Sequence, residues 1–250
     1  MSVLIVGVVG LLCGYVIDLL WGRFYTGEAV RGHLYRCSAC KQRTSPRYLL
    51  PFMGLTWENA ECPECGEALP LRTIYLPAGA ALLYIVSWDS FDRDVGAALL
   101  GGTFATIFFT LALTDLETRL LPNRIIYPSI IAAAALSWGW PDTSAVEIFA
   151  GGGLGILMAT LLLLLSMPFG PDAFGMGDVK MIVLMGFVLG VPSVLVGVVV
   201  GTFAAGAVAA FLLITRLRGR RDTIPHGPFL ALGAVIALWW GSNIWDAYLQ

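Results

Sequence analysis

Two short stretches place acids where acids are costly. In "LTDLETRLLPN" (113–123), Asp115 closes a long apolar run. In "FGMGDVKM" (174–181), Asp178 follows Gly175 and Gly177 and stands two residues before Lys180, where another apolar run begins. A charge set into hydrocarbon costs about 2.5–3.5 kcal/mol even on the gentler insertion scale, so such acids are compensated or used. Two carboxylates brought close in a partly dry site share a proton and titrate as a pair. One is then a general base toward water and the other a general acid toward a carbonyl oxygen. Gly175 and Gly177 let the backbone approach an extended chain. Lys180 could hold one carboxylate ionised or steady a loop. Glu117, two residues beyond Asp115, points elsewhere on a helix and is expected in solvent.

A second constellation is metal-binding in type. "RCSAC" and "ECPECGEALP" give Cys37-x2-Cys40 and Cys62-x2-Cys65, separated by twenty-one residues. Each CxxC knuckle sets two thiolates on one side of a tight turn, and two knuckles close a tetrahedral zinc site of four thiolates. Such a structural zinc ion stabilises a small module that has little core of its own. The alternatives are disulfides, which a reducing compartment disfavours, or separate thiols. Cys13, alone in an apolar helix, is expected to pack as a small apolar group.

The elements that must position these groups are apolar helices. Of 250 residues, 58% are hydrophobic and 13% charged, against about 45–50% and about 25% in soluble domains. Eight runs fit or approach the length of a spanning helix: about 2–20, 74–88, 95–113, 124–138, 147–167, 179–190, 192–214 and 228–245. The second, fourth and sixth are short, and Pro192 marks a tight turn between the sixth and seventh. "MSVLIVGVVG" lacks the basic start of a cleaved signal. The reading is an all-α polytopic membrane protein of about eight transmembrane helices with a cytoplasmic zinc-binding loop. It divides into a first helix (1–20), the tetracysteine loop (21–73) and a membrane-embedded part carrying both aspartates (74–250).

Basic residues set the orientation. With the N-terminus outside, fourteen of the fifteen Lys and Arg fall in odd-numbered loops, Arg93 being the exception. Without the long first loop, seven of the remaining eight still do. Both termini are then outside, and Asp115 and Asp178 meet the membrane at the same cytoplasmic depth. Asp18, near the end of the first helix, is expected to be hydrated there. Trp88, Trp138, Trp140 and Trp239 are expected as interfacial anchors. Glycines at 151/155, 186/190 and 197/201 have the spacing of close helix packing. "AGGGLG" (150–155) follows no strand, which excludes a dinucleotide-binding reading. A net charge of −2 gives no ground for a nucleic-acid partner.

"TDLETRLLPN", "GMGDVKM" and "IPHGPFLALGA" (224–234) resemble, in this order, the best-known blocks of the type IV prepilin peptidases. The four cysteines resemble the tetracysteine loop of the bifunctional bacterial members. The resemblance implies a GxGD aspartic endopeptidase of the bacterial inner membrane with Asp115 and Asp178 in the catalytic positions. It further implies cytoplasmic-side removal of the short basic leader of type IV prepilins or type II secretion pseudopilins, and N-methylation of the new N-terminus by S-adenosylmethionine. The sequence departs from the family pattern chiefly in its first third. There "CGYVIDLLWGRFYTG" stands for a stretch resembling "GSFLNVVIxRLP", and "RTIYLPAGA" for "RYPLVE"; later, His226 stands where Phe is common. The early departures bear on methylation rather than on cleavage. Two other readings remain: another GxGD intramembrane protease, or a zinc-loop membrane scaffold whose acids are merely interfacial.

Overall fold

A computed structural model describes residues 3–26, 40, 64–66, 72–140, 143–169, 175–217 and 225–250. Among these, eight α-helices follow one another: α1 (Val3–Thr26), α2 (Arg72–Ser90), α3 (Val95–Thr118), α4 (Asn123–Ala135), α5 (Ala145–Ser166), α6 (Met176–Leu189), α7 (Ser193–Ile214) and α8 (Gly227–Leu249). Short 3-10 turns follow α4 and α5. α1, α3, α5, α7 and α8 are long and apolar enough to cross a membrane. α2, α4 and α6 form where the short runs lie but do not reach that measure. The 14 residues of α6 rise about 21 Å, short of a hydrocarbon core about 30 Å thick.

The chain divides into two compact units, Met1–Ile85 and Val86–Gln250. In the first, α1 continues to Thr26, past the expected loop boundary at residue 21. Its small residues let α2 approach closely: a Cβ on Gly10 would stand 2.7 Å from the Ala80 carbonyl oxygen, and one on Gly14 2.7 Å from Pro77 Cα. The Tyr84 hydroxyl donates to Cys13 Sγ at 3.3 Å, so Cys13 is a polar partner as well as a packing residue. Asp18 corrects the expectation of a hydrated acid. It is buried, and its Oδ1 pairs with Arg72 Nε at 3.5 Å. The Arg72 guanidinium lies 5.2 Å from the centre of the Trp21 ring. An ion pair closed by a residue fifty-four positions away cannot be read from one helix end.

In the second unit α6 is the hub, packed by α4, α5, α7 and α8. Met181, Ile182, Leu184 and Met185 are all buried there. Glycines allow this density, as their spacing predicts. A Cβ on Gly151 of α5 would lie 2.5 Å from Gly190 Cα, and one on Gly186 of α6 would strike the Gly151 carbonyl. α6 stops at Gly190, whose φ of +65° suits glycine and few other residues. The expected turn at Val191–Pro192 follows, and α7 starts directly after it. α7 packs along α8, and α3 along α8.

The tryptophans depart from expectation. Trp138 is exposed, but Trp88 and Trp140 are buried. Trp140 packs against Phe91 and Phe104 with ring centroids 5.6 and 6.3 Å apart. Trp239 donates its indole N–H to Ser87 Oγ at 3.0 Å. A position near a helix end does not reveal whether an aromatic ring turns toward lipid or toward a neighbouring helix.

Candidate active site

Asp115 lies in the last turn of α3. Below it, Thr106 and Thr110 are buried and turn their hydroxyls back onto carbonyls of their own helix at 2.7 Å, which satisfies them without a partner helix. α3 ends at Arg119, whose left-handed backbone (φ 55°) returns its N–H to the Asp115 carbonyl. The Asp115 side chain is buried, and its Oδ2 accepts the backbone N–H of Gly227 at 3.1 Å. That N–H is one of the orphan donors at the start of a helix. His226, the N-cap of α8, makes no side-chain cap of its own. A carboxylate from α3 therefore caps α8 and is held in place by it. The approach requires glycine: a Cβ on Gly227 would lie 2.6 Å from Asp115 Oδ2.

Asp178 stands in the first turn of α6, outside the five long spans. Gly175 is the N-cap, and its carbonyl accepts the N–H of Asp178 at 3.0 Å. The carboxylate folds back toward Gly175, where a Cβ would be 3.1 Å from Asp178 Oδ2. Burial, and then the charge of Asp115, push the Asp178 carboxyl up to about 7. The two acids thus belong to one electrostatic site, which carries a proton near neutrality. Burial alone pushes His226 down, so it adds no charge to the site in that range.

Lys180 answers the question its position raised. Its ammonium donates to Asn123 Oδ1 at 2.8 Å and lies 5.6 Å from the centre of the Tyr127 ring, both on α4. These two contacts tie Lys180 to α4. Gly177 makes room for Leu121, whose Cβ and Cδ1 would each be 3.0 Å from an added Cβ. Glu117 is exposed, as its spacing predicts. Asn123, Tyr127, Leu121 and Gly227 had no role in the sequence reading. Leu121, Asn123 and Gly227 lie inside the quoted blocks "TDLETRLLPN" and "IPHGPFLALGA", and the 178/180 spacing sends Asp178 and Lys180 to opposite sides of α6.

Of the four expected zinc ligands, Cys37 and Cys62 lie outside the described residues. Cys40 and Cys65 each sit in a turn, and Gly66 beside Cys65 has a φ of +70°. Among the described residues, no three His, Cys, Asp or Glu side chains gather to hold a metal.

Fold and site together define a multi-pass helical membrane protein with a paired-carboxylate centre. Residues 102–212 match the Type IV leader peptidase family, a range that contains both aspartates. The chain is similar to a prepilin leader peptidase/N-methyltransferase of Bacillus subtilis, 27% identical over 94% of this chain and 96% of that protein. It is similar to proteins of the same name from Pseudomonas putida and Pseudomonas aeruginosa. Each is 24% identical over 86% of this chain, covering 75% and 74% of the relative. No solved structure matches it. The chain is thus similar to type IV leader peptidases over most of its length.

Proposed function

We propose that this protein is a membrane aspartic endopeptidase that removes the short basic leader of a type IV prepilin or a type II secretion pseudopilin at the cytoplasmic face. The observation that carries the reading is the coupling of Asp178 to Asp115 across two helices. In the singly protonated pair, the ionised carboxylate takes a proton from water as its oxygen bonds to the scissile carbonyl carbon. The protonated carboxyl gives its proton to the carbonyl oxygen. Collapse of the tetrahedral adduct breaks the C–N bond, and the leaving amine takes a proton from the dyad. The two carboxyls share that proton, and the acid and base roles belong to the pair. Gly227 fixes Asp115 by its N–H, while Gly177 admits Leu121 and Gly175 admits the Asp178 carboxylate, rather than leaving room for a substrate backbone as their types suggest.

Cys37, Cys40, Cys62 and Cys65 would hold one zinc ion as four thiolates, and that ion would supply folding free energy to the loop rather than chemistry. The names of the relatives support N-methylation as a second reaction, for which S-adenosylmethionine would be the donor. No residue of this chain is assigned to that donor.

The test uses purified full-length protein and a prepilin, with Asp115→Asn and Asp178→Asn as variants. Each should lose cleavage by at least about a thousandfold while thermal unfolding remains cooperative. Asn is isosteric with Asp, and at 115 its carbonyl oxygen can still accept the Gly227 N–H. Near wild-type turnover in either variant would remove the dyad, and an uncut leader with a cut unrelated membrane helix would favour the other GxGD reading. In membrane vesicles, an added leader should be cut when the cytoplasmic face is outward and spared when it is inward. Adding S-adenosylmethionine should make the mature product one methyl group heavier if the second reaction is present.

A further inference from the structure

The α3–α4 corner makes two contacts with the opening turn of α6. Leu121, in the linker, packs on Gly177. Asn123, the first residue of α4, accepts the Lys180 ammonium at 2.8 Å across 57 positions of sequence. These contacts flank Asp178 on its own helix, at 177 and 180. The same corner begins one turn after Asp115. Successive residues of a helix are rotated by about 100°, so Asp178 and Lys180 leave α6 about 200° apart. One side chain faces the dyad and the other faces α4. Asn123 and Tyr127, four residues apart, present one face of α4 to the ammonium, and the Tyr127 ring lies 5.6 Å beneath it.

We propose that the α3–α4 corner sets the spacing of the two aspartates, with Leu121, Asn123 and Tyr127 as positioning residues and Lys180 as the hook that fastens α6 to them. A rigid corner is needed because the aspartates come from helices sixty-three residues apart, and α6 begins without a side-chain cap. Neutral partners for the ammonium also matter. A lysine paired with Asp178 would hold that carboxylate ionised. Diverted to an amide oxygen and a ring, it leaves Asp178 free to keep its proton. The charged group that acts on Asp178 is Asp115, while Arg119 at the end of α3 acts on Asp115.

This inference rests on the proposed peptidase reading, and its test separates the two. Lys180→Met, Asn123→Ala and the double variant are compared with wild type, with Lys180→Arg as the conservative replacement. Each single variant should lower kcat by about tenfold to a hundredfold, the penalty for a catalytic group displaced by a fraction of an ångström, with KM nearly unchanged. The double variant should be no slower than the worse single one, because both remove the same link. Lys180→Arg, which can still reach the amide and stack on Tyr127, should recover most of the rate. Hydrogen exchange of residues 176–180 should quicken in Lys180→Met and stay at the wild-type rate in Lys180→Arg. Multiplying losses in the double variant, or unchanged exchange in Lys180→Met, would overturn the corner. If Lys180→Met does not fold, Tyr127→Ala against Tyr127→Phe gives the same comparison. If wild type cuts no leader, the peptidase reading fails, and the exchange data still decide the corner.

Discussion

At the scale of single residues, the protonation of Asp178 ties function to stability. Its carboxyl is raised from 3.8 to about 7, so between those values the folded protein holds a proton that the unfolded chain has released. Stability therefore falls as pH rises through that window, is fully reduced above it, and is unaffected below about 4. Asp178→Asn carries no such group. Its apparent Tm should exceed that of wild type at pH 8, and the gain should vanish by pH 4. Scanning calorimetry or a thiol-dye melt across that range checks it, and a constant difference at all pH values would contradict the assigned shift. The proposed cleavage by the wild-type protein should also slow on the alkaline side as the Asp178 proton leaves. A half-buried acid that lowers stability at working pH is a candidate functional group held in place by its surroundings.

Among the helices, glycine decides how near α5 and α6 may come. Gly186 and Gly153 are both helical glycines, but a Cβ on Gly186 meets the Gly151 carbonyl backbone and one on Gly153 meets nothing within 4 Å. Gly186→Ala should destabilise the protein by about 1–3 kcal/mol, the range for overpacking against a neighbour that cannot move aside. It should reduce cleavage too, since α6 carries Asp178. Gly153→Ala should be neutral or stabilising by about 0.5–1 kcal/mol, because alanine loses less backbone freedom on forming a helix. Melting temperatures of the two variants in one detergent make the comparison. Equal effects would mean that the α5–α6 contact does not depend on the missing Cβ.

For the whole molecule, the four cysteines at 37, 40, 62 and 65 make metal content the property to measure. Metal analysis of the purified protein should find about one zinc per chain, as a closed four-cysteine site requires. Cys37→Ser/Cys62→Ser should lose it, because two thiolates cannot complete a tetrahedral sphere. Unchanged zinc in that variant would place the metal elsewhere. The described residues already fix both catalytic candidates inside the second compact unit. Loss of zinc therefore tests the loop separately from the dyad.

The class of protein was legible in the sequence because bilayer thickness fixes the length of an apolar run and a helix satisfies its own backbone. The two aspartates stood out because acids are rare at such positions. The glycines stood out because their four-residue spacing puts them on one face. Length alone also showed that the second, fourth and sixth runs were short, and α4 and α6 have 13 and 14 residues. Contacts between distant segments were not legible. Asp115 meets Gly227 across 112 positions, Lys180 meets Asn123 across 57, Asp18 is buried against Arg72, and Trp140 turns into an aromatic cluster. Local pattern states which face of a helix is apolar or charged. Which partner fills that face depends on how the helices pack, and only the tertiary structure decided that.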